Sequence, residues 1–299
     1  MKTILLVISA FGFFPWQAHA ALNVFACEPE WGALAQELGG DKVSVYNATT
    51  ALQDPHRIEA RPSLIARTRS ADLVICSGSE LEAGWLPLLL AQSGNNRIQA
   101  GMPGFLEASQ FVARLEIPKV VDRALGDIHP GGNPHVHLDP RNIAKIGEVL
   151  AQRLAALDPG NAQAYKARAD SFRARWQAAI ERWRQAAARL KGVPIVVYHR
   201  DMSYFIQWAE MREAGSLEPR PGLPATPVHL AELVERMKQA PAKAVVYSPY
   251  NSPAAAEFLS QRTGIPAVML PFTVGGTDRA KDLFGLFDDT IARLLEAVK

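Results

Sequence analysis

Cysteine is scarce in this chain, with only Cys27 and Cys76 among 299 residues. No CxxC pair occurs, which excludes thiolate zinc ribbons and fingers. Each cysteine closes an apolar run, Leu22 to Cys27 and Ala71 to Cys76, so the two fall at the same ends of neighbouring strands. A disulfide in an oxidising compartment and a pair of buried thiols both fit that placement. Excess charge is lacking too. The formal net charge is +2, and removing Lys2 leaves +1, which argues against nucleic acid or an anionic membrane surface as partner. HExxH, GxSxG, GxxxxGK and the Rossmann glycine fingerprint are all absent, which removes the commonest hydrolase and nucleotide-binding readings. No apolar run is long enough to cross a bilayer.

What is present is an ordinary globular composition, 48% hydrophobic and 21% charged, over a length that suits two domains. Residues 1–20 read as a secretion signal: Lys2, the apolar run Ile4 to Phe14, then Ala18-His19-Ala20 as a small-x-small cleavage site. The mature chain is expected to begin near Ala21 and to be periplasmic. The context of Cys27, after Val24-Phe25-Ala26, is a poor one for lipidation.

The organising stretch is Asn161 to Leu190. Tyr165, Ala169, Phe172, Trp176, Ala179, Ile180, Trp183, Ala187 and Leu190 share one face at about 100° per residue, with arginines off that face. The run lacks Gly and Pro, and as one helix it would span on the order of 45 Å, more than one small domain requires. Before it, Leu22 to Cys27, Val43 to Ala48 and Ala71 to Cys76 read as strands, with a weaker one at Phe111 to Pro118. They alternate with helices at Trp31 to Leu38, Pro62 to Arg69 and Glu80 to Ala91, and a helix follows from the Asp139-Pro140 cap to Leu157. After it, strands Ile195 to Tyr198, Ala244 to Tyr247 and Ala267 to Leu270 alternate with helices near Tyr204 to Arg212, Val228 to Gln239, Ala254 to Arg262 and Arg279 to Val298. Gly215 to Pro227 reads as a proline-rich loop. The expected fold is α/β, two βα lobes with parallel sheets joined by one long backbone helix: an N-terminal lobe 21–160, the linking helix 161–190 and a C-terminal lobe 191–299. No residue-level repeat is evident.

In open α/β sheets ligands bind beyond the carboxyl ends of strands. Three histidines stand in such places: His56 in a loop after the second strand, His135 just before a capped helix, and His199 directly after Ile195 to Tyr198. Neutral imidazoles from distant segments suit a borderline-soft divalent ion such as Zn²⁺, with one carboxylate oxygen to complete a tetrahedron.

Five pieces in order carry a resemblance. They are Asp54-Pro55-His56 with Arg61-Pro62-Ser63, Asn133-Pro134-His135 with Leu138-Asp139-Pro140, the long helix, Tyr198-His199-Arg200-Asp201 with Tyr204-Phe205, and Gly215-Ser216-Leu217-Glu218-Pro219. Together they resemble the zinc and manganese solute-binding proteins of metal ABC importers, the class built on a long backbone helix. The resemblance covers the mature chain. It implies a monomeric zinc receptor with His56, His135 and His199 as ligands, serving an ABC transporter membrane permease and loaded directly or by a periplasmic metallochaperone. Manganese-preferring members tend to carry a carboxylate in place of the third histidine, so His199 favours zinc, with Mn²⁺ the alternative cargo.

Two departures stand out. No carboxylate directly follows Leu270-Pro271-Phe272-Thr273; the first is Asp278, after Gly275-Gly276, which is taken as the fourth ligand, with Asp282 as runner-up and a helix cap as the competing role for Asp278. His137 stands where an aromatic residue is usual, and if the segment is extended it cannot face the same ion as His135. His129 is read as a low-affinity delivery ligand, and His229, at a helix start, as structural. A zinc hydrolase, with three histidines, a bound water and Asp201 or Glu59 as base, is the competing reading from another class, and a surface adhesin with structural metal is the third.

Overall fold

The computed structural model describes residues 20–122 and 126–299, so the expected leader lies outside the described residues except for Ala20. The first half lays down strands β1 (Leu22–Ala26), β2 (Val43–Asn47), β3 (Leu73–Cys76) and β4 (Phe105–Glu107), with helices α1 (Pro29–Gly39), α2 (Pro62–Arg69), α3 (Leu86–Ser93) and α4 (Pro140–Leu157). Helix α5 (Ala162–Ala187) follows. The second half holds β5 (Pro194–Val197), α6 (Ser203–Trp208), β6 (Arg212–Ser216), α7 (Pro227–Gln239), β7 (Ala244–Tyr247), α8 (Ala254–Thr263), β8 (Ala267–Met269) and α9 (Leu283–Ala297).

Each half forms one parallel four-stranded sheet, ordered β2-β1-β3-β4 and β6-β5-β7-β8. The same order in both halves is a repeat of topology that residue-level comparison did not show. The central strands β1, β3, β5 and β7 carry Val, Ile, Leu and Ala on both faces and are buried accordingly, as parallel strands covered by helices must be.

Helix α5 ties the lobes together. Its Tyr165, Phe172, Trp176, Ala179, Trp183 and Ala187 are buried. Trp176 Nε1 donates to Pro140 O of α4 at 2.8 Å, and Trp183 Nε1 donates to Asp288 Oδ1 of α9 at 2.6 Å, so each buried indole reaches a different lobe. Phe284 and Phe287 of α9 close on the same indoles, with centroids 4.8 Å (Trp176 to Phe284) and 4.9 Å (Trp183 to Phe287) apart. One continuous core therefore runs from Val24 and Trp31 of the first lobe through α5 to Ile195 and Val246 of the second. Hinging the lobes would open that core to water, at about 25 cal/mol for each Å² of apolar surface exposed.

Four local expectations are corrected. The fourth strand is Phe105–Glu107, and Phe111 to Pro118 is not a strand. Glu80 to Ala91 is not one helix, because Gly78, Ser79 and Glu80 all have positive φ (76°, 50° and 62°) and α3 starts only at Leu86, ahead of Pro87. Arg212–Ser216 is a strand rather than the end of a helix and the start of a loop. The terminal helix begins at Leu283, capped by Asp282, whose Oδ1 accepts from Gly285 N at 2.7 Å. Cys27 and Cys76 form a disulfide across the ends of β1 and β3, with Cα atoms 4.8 Å apart.

Candidate metal site

His56 sits in the loop that follows β2. Asp54 shapes that loop: one carboxylate oxygen accepts from His56 N at 3.0 Å and lies 2.7 Å from His56 Nδ1. Trp85 Nε1 donates to Pro55 O at 2.9 Å and anchors the loop to the lobe. With Nδ1 committed, His56 Nε2 is buried and has no partner among the described residues. Burial pushes the Asp54 carboxyl up, but the hydrogen bond and charge of His56 outweigh it and hold Asp54 below its usual value.

His135 enters a single 3₁₀ turn, Val136–Leu138, that leads to α4. Its backbone N–H donates to Asn133 Oδ1 at 3.0 Å, while Asn133 Nδ2 donates to Arg200 O at 2.7 Å and Tyr204 O–H donates to Asn133 O at 2.8 Å. The second lobe thus grips the segment that presents His135. The ring is buried, and neither nitrogen has a hydrogen-bond partner among the described residues. Burial, then the nearby His56 and His199, push its pKa well below the usual value, which favours the neutral ring, whose one lone-pair nitrogen is the form that can bind a metal.

His199 follows β5 and is buried. Its Nδ1 lies 2.7 Å from Glu218 Oε2, just beyond β6, which leaves Nε2 for the cleft. Burial opposes the charged ring, but Glu218 and Asp201 together raise its pKa. Asp201 is itself buried and accepts from Ser248 Oγ and Tyr250 O–H at 2.5 and 3.2 Å.

The three rings form a near-equilateral triangle, with centroids 5.4 Å (His56 to His135), 5.5 Å (His56 to His199) and 5.6 Å (His135 to His199) apart. One nitrogen from each lies within 4.8 Å of the others. Imidazoles bound tetrahedrally to one zinc ion at about 2.0–2.1 Å would place their centroids on the order of 5.2 Å apart. The observed triangle is a few tenths of an ångström wider than that, so the donors fit an ion with a small inward movement.

The structure does not bring Asp278 to this triangle. It is exposed on the turn after Gly275-Gly276, and no oxygen of it joins the gathered nitrogens. Asp282 is occupied as the α9 cap. His137 faces away from the triangle, as expected, though the segment is a 3₁₀ turn and not extended. Its Nε2 donates to Phe272 O at 2.9 Å and its Nδ1 lies 3.1 Å from Glu30 Oε1 of α1. His229 Nε2 donates to Ser216 O at 2.8 Å, outside the site. His129 stands beside His56, with ring centroids 5.3 Å apart, and its Nε2 is buried without a partner. Burial, His56 and His199 push its pKa down to about 4. The roles of Asp54 and Glu218 were missed in the sequence, although each belongs to a short piece singled out there. Their signal was the aspartate two residues before His56 and the glutamate at a strand end.

A family profile described as "Zinc-uptake complex component A periplasmic" matches residues 24–297. The manganese ABC transporter substrate-binding lipoprotein PsaA of Streptococcus mitis is 22% identical over 290 residues, covering 94% of this chain and 90% of that one. The iron ABC transporter substrate-binding lipoprotein MtsA of Streptococcus pyogenes serotype M1 is 23% identical over 262 residues, covering 84% and 80%. Among solved structures, the crystal structure of ZnuA superposes with a TM-score of 0.76 at 22% identity, over 92% of this chain and 99% of that one. The Mn-bound periplasmic metal binding protein from candidatus Liberibacter asiaticus gives 0.74 at 17% identity, over 93% and 100%. The fold is shared with both. The chain therefore belongs to the periplasmic zinc-uptake component A family, as a metal-binding receptor of an ABC importer and not an enzyme.

Proposed function

We propose that this receptor captures Zn²⁺ outside the cytoplasm, with His56, His135 and His199 as its ligands, and hands it to the membrane permease of its importer. The single observation that carries this reading is the triangle of three imidazoles in which, among the described residues, no carboxylate oxygen takes part. Imidazole donors suit zinc, whereas manganese is best served by carboxylate and water oxygens. Asp54 and Glu218 act on the ion through the rings they hold: each fixes a tautomer, aims Nε2 inward and raises the basicity of its ligand. Their charges also offset part of the charge that an ion with only neutral donors would bring into the cleft.

The core shared through α5 makes the two lobes a stiff frame, so capture and release fall to the loops that carry the histidines. The cleft in front of His135 and His199, about 400 Å³, is open to solvent and is where the ion enters. Delivery by a periplasmic metallochaperone fits an exposed mouth of this kind. Manganese is the second reading, favoured by the cargo in the PsaA name. Competition between the two metals at the purified mature chain decides. A manganese excess that leaves bound zinc in place supports the zinc reading, and displacement of zinc by comparable manganese refutes it.

A further inference from the structure

A second cluster of metal-donor atoms gathers in the first lobe, apart from the histidine triangle. It consists of Cys27 Sγ, Cys76 Sγ and a carboxylate oxygen of Glu82, all within 4.8 Å of one another and all from buried residues. Three such atoms on one zinc ion, at about 2.3 Å for sulfur and 2.0–2.2 Å for oxygen, stand roughly 3.6–3.8 Å apart. In the disulfide the two sulfurs are bonded to each other, so the cluster is closed to metal in that form.

The surroundings supply what such a site needs. Cys27 follows β1 and Cys76 ends β3, with Cα atoms 4.8 Å apart, the ordinary spacing of neighbouring strands. Once the S–S bond is broken the sulfurs can part by side-chain rotation, without moving the sheet. Glu82 is held by Ser77 N at 2.7 Å and Gly78 N at 3.1 Å, and a carboxylate that accepts about four bonds keeps capacity for an ion. The same Glu82 lines a groove of about 480 Å³ with Glu80 and Glu107, which gives a cation a route from solvent. Glu28, next along the chain from Cys27, is buried too, and its Oε1 has no hydrogen-bond partner among the described residues. A buried oxygen left unused marks the cluster as incomplete in its oxidised form.

The geometry points to a redox-gated second metal site, in which reduction of the Cys27–Cys76 bond frees two thiols that bind Zn²⁺ together with Glu82. An external dithiol supplies the two electrons and becomes a disulfide, and its two protons pass to the Cys27 and Cys76 sulfurs. The ion then displaces those two protons to solvent. Reoxidation runs the other way: the sulfurs rejoin, an external disulfide takes up two electrons and two protons, and the ion is expelled. Two thiolates beside one carboxylate select zinc over manganese. This site is independent of the histidine triangle, so its fate in a test leaves the receptor reading untouched.

Cobalt(II) tests it, because a thiolate bound to cobalt adds a charge-transfer band in the near ultraviolet that imidazole and carboxylate do not. The mature chain carrying His56→Ala, His135→Ala and His199→Ala is reduced with a phosphine, its two thiols are counted, and it is titrated with Co²⁺. One cobalt per chain with the band is expected in the reduced chain, none in the unreduced chain and none after Cys76→Ser. Glu82→Gln should keep the band with affinity lower by at least about 10-fold. Circular dichroism follows the fold. If reduction unfolds the chain, Zn²⁺ should restore it, and should fail to restore a chain with Cys27→Ser and Cys76→Ser. A reduced chain with two free thiols that shows neither the band nor zinc-dependent folding overturns the inference, and unchanged affinity in Glu82→Gln overturns the three-donor set.

Discussion

Glu218 Oε2 lies 2.7 Å from Nδ1 of His199, and the same oxygen accepts from Gly222 N at 2.8 Å. One carboxylate thus sets the direction of the His199 ring and the position of the loop beside it. Replacing Glu218 with Ala frees the ring to rotate and leaves Gly222 N unpaired. Zinc affinity should fall by about 10- to 100-fold with stoichiometry unchanged, and isothermal titration with a competing chelator reads both. Wild-type affinity in that variant would show that the ring is held by packing alone.

The loop between β6 and α7, residues 217–226, contains Glu218 and Gly222 and has few apolar anchors apart from the buried Leu217. Binding an ion at His199 fixes its inner end. Limited proteolysis of the mature chain should therefore be slower in this loop with zinc than without it. Equal cleavage rates would mean that the loop is indifferent to the ion.

Trp176 is fully buried, and its indole bonds one lobe while its ring packs on Phe284 of the other. Trp176→Ala should lower the unfolding free energy by about 3–5 kcal/mol, measured in urea without metal. Zinc stoichiometry at saturation should survive, because the indole does not touch the histidines. A loss well below that range would mean that the two lobes are joined mainly by something other than this core.

Glu28 and Glu82 are buried together near the disulfide. Burial, then the charges of Glu82 and Glu30, push the Glu28 carboxyl well above its usual value, and burial pushes Glu82 up to about 7. Between the ordinary glutamate value and these raised values the folded chain binds more protons than the unfolded one, so stability falls as pH rises through that window. Below it both states are protonated and the effect is gone. The metal-free wild type should melt lower at about pH 8 than at about pH 6, and Glu28→Gln should flatten that slope. A slope of the same size in the variant would assign it to other groups.

The architecture was legible because its strongest signals are long-range regularities: apolar runs alternating with helices, and an aromatic stripe held for the whole of α5. Asp139 before Pro140 announced α4 in the same way, by a cap and a first-turn proline. Arg212–Ser216 was not legible. Its residues, Arg-Glu-Ala-Gly-Ser, have no strand preference, and they are extended because β5 pairs with them along its free edge. The break at Gly78, Ser79 and Glu80 was hidden for a related reason. Glu82 accepts from Ser77 N at 2.7 Å and from Gly78 N at 3.1 Å, and these local side-chain bonds hold a turn in a sequence that otherwise suits a helix.

At the site, the three histidines could be picked out because His199 directly follows a strand, His135 precedes a capped helix and His56 lies in the loop after a strand. Asp278 is the first carboxylate after the last strand, but position along the chain does not reveal that Asp282, four residues later, takes the cap and leaves Asp278 on an exposed turn. Nothing in the segment around His129 shows that its ring lies beside that of His56, because the residues between them in sequence give no sign of that approach.

The most direct test of the account is a zinc-loaded crystal structure of the mature chain with anomalous diffraction at the zinc edge. The account predicts one strong peak inside the triangle, about 2.0–2.1 Å from a ring nitrogen of each of His56, His135 and His199. A peak elsewhere, or an ion held mainly by carboxylate oxygens with any of these three rings turned away, would contradict it.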